Sequence, residues 1–155
     1  MNASASKPKK FFTVAEANKR LPLVRVIVDD IVRLFTGVHD RRQRLERIRQ
    51  SKPSHREGDV YSEELDQIEE ELEKDESRLR GFISELEDLG VEMKDPLVGL
   101  IDFPTKIDGR EACLCWKLGE EEIGFWHELQ AGFQGRQSLL EGSVSVDRPE
   151  SGAHD

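Results

Sequence analysis

Residues 111–139 read EACLCWKLGEEEIGFWHELQAGFQGRQSL, and this stretch determines how the rest of the chain is interpreted. It holds both tryptophans, both cysteines, two of the seven phenylalanines and one of the four histidines of the 155-residue chain. In a strand, successive side chains point to opposite faces. Residues 111–117 therefore predict a strand with two different faces. Ala112, Leu114 and Trp116 form an apolar face. The other face carries two thiols and a charged side chain, from Cys113, Cys115 and Lys117.

The residues before this strand predict two further strands. Residues 91–94 and 100–103 alternate in polarity and are separated by the turn sequence DPLVG. The dipeptide Asp108-Gly109 is typical of a tight hairpin that leads into the third strand. We therefore expect residues 91–117 to form a small three-stranded antiparallel sheet.

The residues after this strand are expected to add one short element. Gly119 ends the strand, and apolar side chains then recur at intervals of three, three and four residues, which favours a short helix over a fourth strand. The alternative of a strand stays open because Gly124 weakens a helix. The residues that carry this spacing are Ile123, Trp126, Leu129 and Phe133.

Two long apolar stripes precede the sheet and predict an antiparallel helical hairpin over residues 22–89. A capping-box pattern at Thr13 and Glu16 predicts a short separate helix, which Pro22 interrupts. Helices are then expected at residues 22–50 and 62–89, joined by a polar loop, with coiled-coil-like spacing. The stripes are Val24, Ile27, Val28, Ile31, Phe35, Val38, Leu45 and Ile48 in the first helix, and Leu65, Ile68, Leu72, Asp75, Leu79, Phe82, Leu86 and Leu89 in the second.

Asp75 is the only polar residue in the second stripe. When Leu45 faces Ile68, the antiparallel register places Asp75 one turn from a gap in the first stripe at Arg41 and Arg42. We therefore predict an ion pair between Asp75 and one of these arginines. The pair has two interpretations: it fixes the alignment of the helices, or it forms a polar functional site in the arm.

The whole chain is expected to be an α+β protein with one domain at residues 11–139. Residues 1–10 and 140–155 are rich in small, polar and charged residues and are expected to be a disordered leader and tail. The composition is 35% charged and 36% hydrophobic, which suits elongated helices that bury one stripe each.

Charge and cysteine usage exclude several classes of protein. A formal net charge of −9 disfavours a nucleic acid partner, because phosphate binding needs clustered lysine and arginine. No apolar run approaches the roughly 20 residues of a membrane span. The first ten residues lack the apolar segment of a secretory signal, so we do not expect them to act as one. Cys113 and Cys115 are too close in sequence for a good mutual disulfide, so they indicate reduced thiols in a cytoplasmic protein.

The stretch 116–136 also carries the candidate site residues. An apolar wall with a few convergent polar groups is typical of a ligand pocket, although a core with polar edges has the same composition. Standard phosphate-binding, dinucleotide-binding and zinc-helix motifs are absent, so the sequence assigns no cofactor and no catalytic residue. The candidate ligand-binding residues are Trp116, Glu120, Trp126, His127, Glu128 and Arg136.

Cys115 and His127 leave two chemical alternatives open. No metal site is predicted, but Cys115, Glu120 and His127 form a weak alternative set of ligands, with Cys113 in reserve. Cys115 is also formally a thiol nucleophile with His127 as its base. A simpler interpretation, without metal or catalysis, is that His127 is a hydrogen-bonded residue beside a core tryptophan.

Three segments together resemble a known family. CWKLGEEEIGFWHELQAGFQGRQSL, GVEMKDPLVGLIDFP and FFTVAEANKRLPLV are similar to the prokaryotic domain of unknown function 2203, some members of which are labelled division initiation protein. The resemblance covers residues 11–139, and it departs from the family pattern GRxPL at Ser138. It implies a shared motif but no activity, cofactor or partner. The motif residues are Trp116, Gly119, Glu120, Trp126, His127, Gly132 and Arg136.

Two functional hypotheses follow from these patterns. The first is a cytoplasmic interaction or scaffold module that self-associates through its long amphipathic helices, and therefore forms a homo-oligomer. The second is a protein or enzyme that binds a small molecule or metal around residues 116–136. Neither hypothesis requires a nucleic acid or a membrane as partner.

Overall fold

The computed structural model describes residues 9–51 and 60–139. The parts of the predicted leader, interhelical loop and tail at residues 1–8, 52–59 and 140–155 lie outside the described residues. Within the described residues the chain forms two α-helices, five strands and one short 3-10 helix, which makes it an α+β protein. The elements are α1 (Val14–Ser51), α2 (Val60–Asp88), β1 (Glu92–Asp95), β2 (Leu100–Ile107), β3 (Arg110–Lys117), β4 (Phe125–Glu128), the 3-10 helix (Phe133–Gly135) and β5 (Gln137–Ser138).

Helix α1 begins at the predicted capping box and continues through Pro22. The Glu16 backbone N–H donates to Thr13 Oγ1 over 3.1 Å, and the Thr13 backbone N–H donates to Glu16 Oε1 over 3.0 Å. The predicted helix break at Pro22 is wrong, because α1 runs unbroken from Val14 to Ser51. A proline removes one backbone hydrogen bond, and here burial of the flanking apolar side chains outweighs that loss. These buried neighbours are Ala17, Leu21 and Val24.

Helices α1 and α2 pack against each other in antiparallel directions. Arg41 pairs with Asp75 over 2.5 Å and Arg42 pairs with Glu76 over 2.7 Å, whereas Arg49, about two turns later in α1, pairs with Glu69, about two turns earlier in α2. The predicted ion pair of Asp75 is thereby confirmed, with Arg41 as its partner.

The helical pair is held by two separate apolar cores. The first half of α1 and the end of α2 pack on one face of the sheet, around Phe103, Leu114 and Trp116. The remaining part of the pair, residues 34–51 and 60–76, has its own small core, and we call this part the arm. The arm core consists of Val38, Leu45, Leu65 and Leu72, with the half-buried Leu34, Ile48 and Ile68 beside it.

The five strands form one antiparallel sheet in chain order, β1-β2-β3-β4-β5. The predicted three-stranded sheet corresponds to β1, β2 and β3, but the prediction of three strands is wrong for the whole chain. The favoured short helix at residues 123–133 is also wrong, because Phe125–Glu128 is a strand paired with β3. Trp126 lies opposite Leu114 and packs into the main core from this strand. The spacing of three residues therefore reflects a strand followed by a turn.

No helix in residues 9–51 or 60–139 is both long enough and apolar enough to cross a membrane.

Candidate functional site

The face of the sheet that points away from the helices carries a polar cluster. Asp102 on β2 lies opposite Cys115 on β3, and Cys113 on β3 lies opposite His127 on β4. Strand alternation therefore places these four side chains together on one face. Asp102 and His127 are each only 2% exposed and Cys115 is fully buried, although none of them belongs to the apolar core. Buried polar groups of this kind need partners, because unpaired ones are costly.

Arg136 covers this cluster from the segment after the 3-10 helix. Its guanidinium carbon lies 3.9 Å from the ring centre of Phe125 and 4.9 Å from that of Phe133. One guanidinium nitrogen donates to Glu120 Oε1 over 2.7 Å, and only 14% of the Arg136 side chain is exposed. Arg136 thus lies stacked on aromatic rings with its charge paired to Glu120, which is a favoured setting for a guanidinium.

His127 is held by a hydrogen-bond acceptor at each ring nitrogen. Nδ1 lies 2.7 Å from the backbone carbonyl oxygen of Glu128, and Nε2 lies 3.0 and 3.1 Å from the two carboxylate oxygens of Asp102. A carbonyl oxygen only accepts, so Nδ1 must carry the proton that it donates there. The contact between Nε2 and Asp102 then needs a further proton, or another cation, between two acceptors.

Both cysteines are free and buried beside this pair. Burial raises the pKa of the Cys113 thiol to about 12, and Asp102 contributes in the same direction. Burial likewise raises the pKa of the Cys115 thiol to about 11, and the nearby Arg136 opposes the rise. Both side chains are therefore protonated thiols at neutral pH, and an unassisted Cys115 is a poor nucleophile.

The sheet divides the six predicted ligand-binding residues between its two faces. Trp116, Glu120 and Arg136 are linked, since Trp116 Nε1 donates to the Glu120 carbonyl over 3.1 Å. Trp116 and Trp126 both belong to the core under the helices, while His127 points to the other face.

The side chain of Glu128, the sixth candidate, makes its ion pair outside the candidate set. Its side chain pairs with Arg110 over 3.2 Å, and only its carbonyl oxygen meets His127. The structure therefore does not gather all six candidates into one pocket. Glu120 and Arg136 lie beside the polar cluster of His127, whereas both tryptophans belong to the core.

Asp102 is the residue of the cluster that the sequence prediction missed. One ligand atom from each of Asp102, Cys115 and His127 lies within 4.8 Å of the other two. The alternative metal set named Glu120 with Cys115 and His127, but Glu120 pairs with Arg136 instead. The one available signal was an acid inside the apolar strand LIDF, and its partners depend on strand register.

The arm carries a surface on which the two helices have opposite charge. Residues 40–50 of α1 contain five arginines and two acids, whereas residues 63–76 of α2 contain nine acids and one lysine. The three ion pairs between the helices leave other charges exposed on the outer surface. Examples are Arg44 and Arg47 on α1 and Glu70 and Glu73 on α2.

Comparisons with known proteins place the chain in a family. No curated protein and no solved structure matches it. The family model described as "Uncharacterized conserved protein (DUF2203)" matches residues 10–139, the part of the chain that contains both helices, the sheet and the polar cluster. The chain therefore belongs to that family of uncharacterized conserved proteins.

Proposed function

We propose that this protein is a cytoplasmic interaction module that self-associates through its arm. The observation that carries the proposal is the separate arm core, in which four of the described apolar side chains are buried. Two helices alone bury a single seam, so Leu34 and Ile68 at its edges stay half-buried. A second arm packed alongside would cover these edges in a four-helix, coiled-coil-like bundle.

The outer charges of the arm favour a second copy of this chain as the partner. A twofold arrangement can lay the basic helix of each chain along the acidic helix of the other. Arg44 and Arg47 would then face Glu70 and Glu73 of the opposite copy. Complementary charges of this kind speed association and fix the relative orientation of the partners.

The two thiols support a cytoplasmic location. Cys113 and Cys115 are both free, and a reducing compartment keeps such thiols unpaired.

The experiment is sedimentation equilibrium of the wild type and of two double charge reversals, R44E/R47E and E70R/E73R. We expect the wild type to form dimers that weaken at high salt, because salt screens exposed charges. Each double reversal should dissociate the dimer. An equimolar mixture of the two variants should associate again, since the reversed charges are complementary.

The matched control is E121R/E122R, which reverses two exposed acids outside the arm. It should leave the dimer unchanged apart from a small effect of net charge. Leu72→Asp is unsuitable as the main test, because Leu72 is fully buried in the seam and its loss would unfold the arm itself. A wild type that stays monomeric up to millimolar concentration would refute the proposal.

A further inference from the structure

We infer that Asp102, Cys115 and His127 form a binding site for a zinc ion. This inference is independent of the arm, because the cluster lies on the far face of the sheet. The three side chains come from three adjacent strands, β2, β3 and β4, and the register of those strands aligns them. Carboxylate, thiolate and imidazole are all ligands that zinc accepts.

The hydrogen bond at Nδ1 prepares His127 for this role. Nδ1 donates to the Glu128 carbonyl oxygen over 2.7 Å, so in the neutral ring the lone pair of Nε2 is directed at Asp102. A histidine that ligates a metal usually donates its other ring N–H to a carbonyl or carboxylate, which fixes the tautomer and the ring orientation. Without a proton or a metal cation at Nε2, its lone pair and the Asp102 carboxylate oppose each other.

The separations of the donor atoms suit a small tetrahedral ion. Zinc bonds of about 2.0–2.3 Å imply that tetrahedral ligand atoms lie roughly 3.3–3.7 Å apart. Nε2 lies 3.0 Å from the nearer Asp102 oxygen, and all three donor atoms lie within 4.8 Å of one another. Side-chain movements of about an ångström are therefore enough to close the coordination shell. Three protein ligands leave a fourth position open, as in catalytic zinc sites.

The charges of the surrounding groups balance the ion. Zinc binding converts the Cys115 thiol to a thiolate. The thiolate and the Asp102 carboxylate then carry two negative charges against the two positive charges of zinc. Arg136 is a cation close to Cys115, but its charge is already paired with Glu120 over 2.7 Å. The complete site is therefore neutral, which matters because a buried uncompensated charge is costly.

Cys113 provides a matched control for the ligand assignment. It lies on the same strand and the same face as Cys115 and is also buried. It is not a member of the group of three donors. Because the chain has only these two cysteines, a thiolate signal in Cys113→Ser must come from Cys115.

The test is to titrate the full-length, chelator-treated protein with Co²⁺ and with Zn²⁺. We expect one Co²⁺ per chain, with a sulfur-to-cobalt charge-transfer band and the visible spectrum of a tetrahedral site. Zn²⁺ should displace the cobalt and raise the melting temperature, because a ligand that binds only the folded state stabilises it. Cys113→Ser should keep the band and bind Co²⁺ with wild-type affinity.

Cys115→Ser should lose the band, and Asp102→Asn should weaken Co²⁺ binding. The weakening should exceed the roughly 10- to 100-fold that loss of a ligand's own hydrogen-bond partner costs. Circular dichroism checks that each variant is folded, and the result with Cys113→Ser decides the assignment even where another variant does not fold. Absence of the band in the wild type, or its loss in Cys113→Ser, would overturn the inference.

Discussion

Gly99 shows how one residue fixes the contact between the sheet and α1. Its φ of +74° lies in the left-handed region, where other residues are strained. A Cβ at this position would lie 2.8 Å from the Leu118 Cβ and 3.0 Å from a methyl group of Val28. The turn between β1 and β2 therefore approaches α1 closely only because residue 99 has no side chain.

Gly99→Ala is expected to destabilise the protein more than Gly109→Ala does. Gly109 has a similar φ of +77°, but a Cβ there meets no atom within 4 Å. Gly109→Ala should cost about 1–2 kcal/mol, the strain of a left-handed residue. Gly99→Ala should cost a further 1–3 kcal/mol or so, because the core is overpacked. Urea unfolding followed by tryptophan fluorescence measures both, and equal losses would contradict the packing argument.

At the scale of the element, the Asp75–Arg41 pair makes the arm sensitive to acid. The hydrogen bond from Arg41 is the largest cause that holds the pKa of Asp75 below its ordinary value of 3.8, against an opposing effect of desolvation. A carboxyl whose pKa falls on folding stabilises the folded state above its unfolded pKa. That contribution is lost as the pH falls through the lower, folded pKa.

Asp75→Asn is therefore expected to lower the free energy of unfolding at neutral pH by up to about 1 kcal/mol, since the pair is partly exposed. The difference from the wild type should vanish as the pH falls below 3.8. Thermal unfolding across this pH range measures the effect, and Asp66→Asn, at an exposed position of the same helix, controls for net charge. A stability deficit that persists at the lowest pH would exclude the ion pair as its cause.

Asp75→Leu, which completes the apolar stripe, should leave the free energy of unfolding unchanged or raise it.

The helical elements were predictable because their signals repeat along the chain. The long stripes fixed not only the existence of α1 and α2 but their register, including the contact of Asp75 with Arg41. Predictions failed where one local signal competed with burial elsewhere. Pro22 lies in a helix in which Leu21 and Val24 are buried, and residues 125–128 pair with a strand that local periodicity does not reveal.

The candidate site was predictable only in part for the same reason. Cys115 and His127 stand out by residue type within residues 111–139. Asp102 joins them through the pairing of β2 with β3, which no local pattern records. The division of Trp126 and His127 between two faces also needed β4 to be recognised as a strand, because a helix orients consecutive residues differently.

At the scale of the whole molecule, the two cores divide the protein into regions of unequal stability. Among the residues that the structure describes, the arm core has four buried residues and the main core has seventeen. Regions with few buried apolar contacts open at a lower free energy than the rest of a protein. The arm should therefore open without unfolding of the sheet.

Hydrogen exchange should detect this opening. Amides of α1 in the arm are expected to exchange faster than those at residues 24–31, next to the sheet. Leu45→Ala, which removes part of the arm core, should accelerate exchange in the arm and leave the sheet amides unchanged. Leu114→Ala, in the main core, should instead accelerate exchange in the sheet. Uniform exchange along α1 in both variants would show a single cooperative unit. The measurement is best made at dilute concentration, where association of arms does not add protection.

The unbroken course of α1 also has a mechanical consequence. At a rise of about 1.5 Å per residue, its 38 residues form a rod about 57 Å long. Arg25 anchors one turn of this helix. Its guanidinium carbon lies 5.7 Å from the ring centre of Trp116, and one guanidinium nitrogen donates to the Glu121 carbonyl over 2.8 Å. A tilt of about 10° there would move the backbone at Ser51, the end of α1, by about 7 Å. A force applied at the far end of α1 would therefore act as a torque on the contact between Arg25 and Trp116.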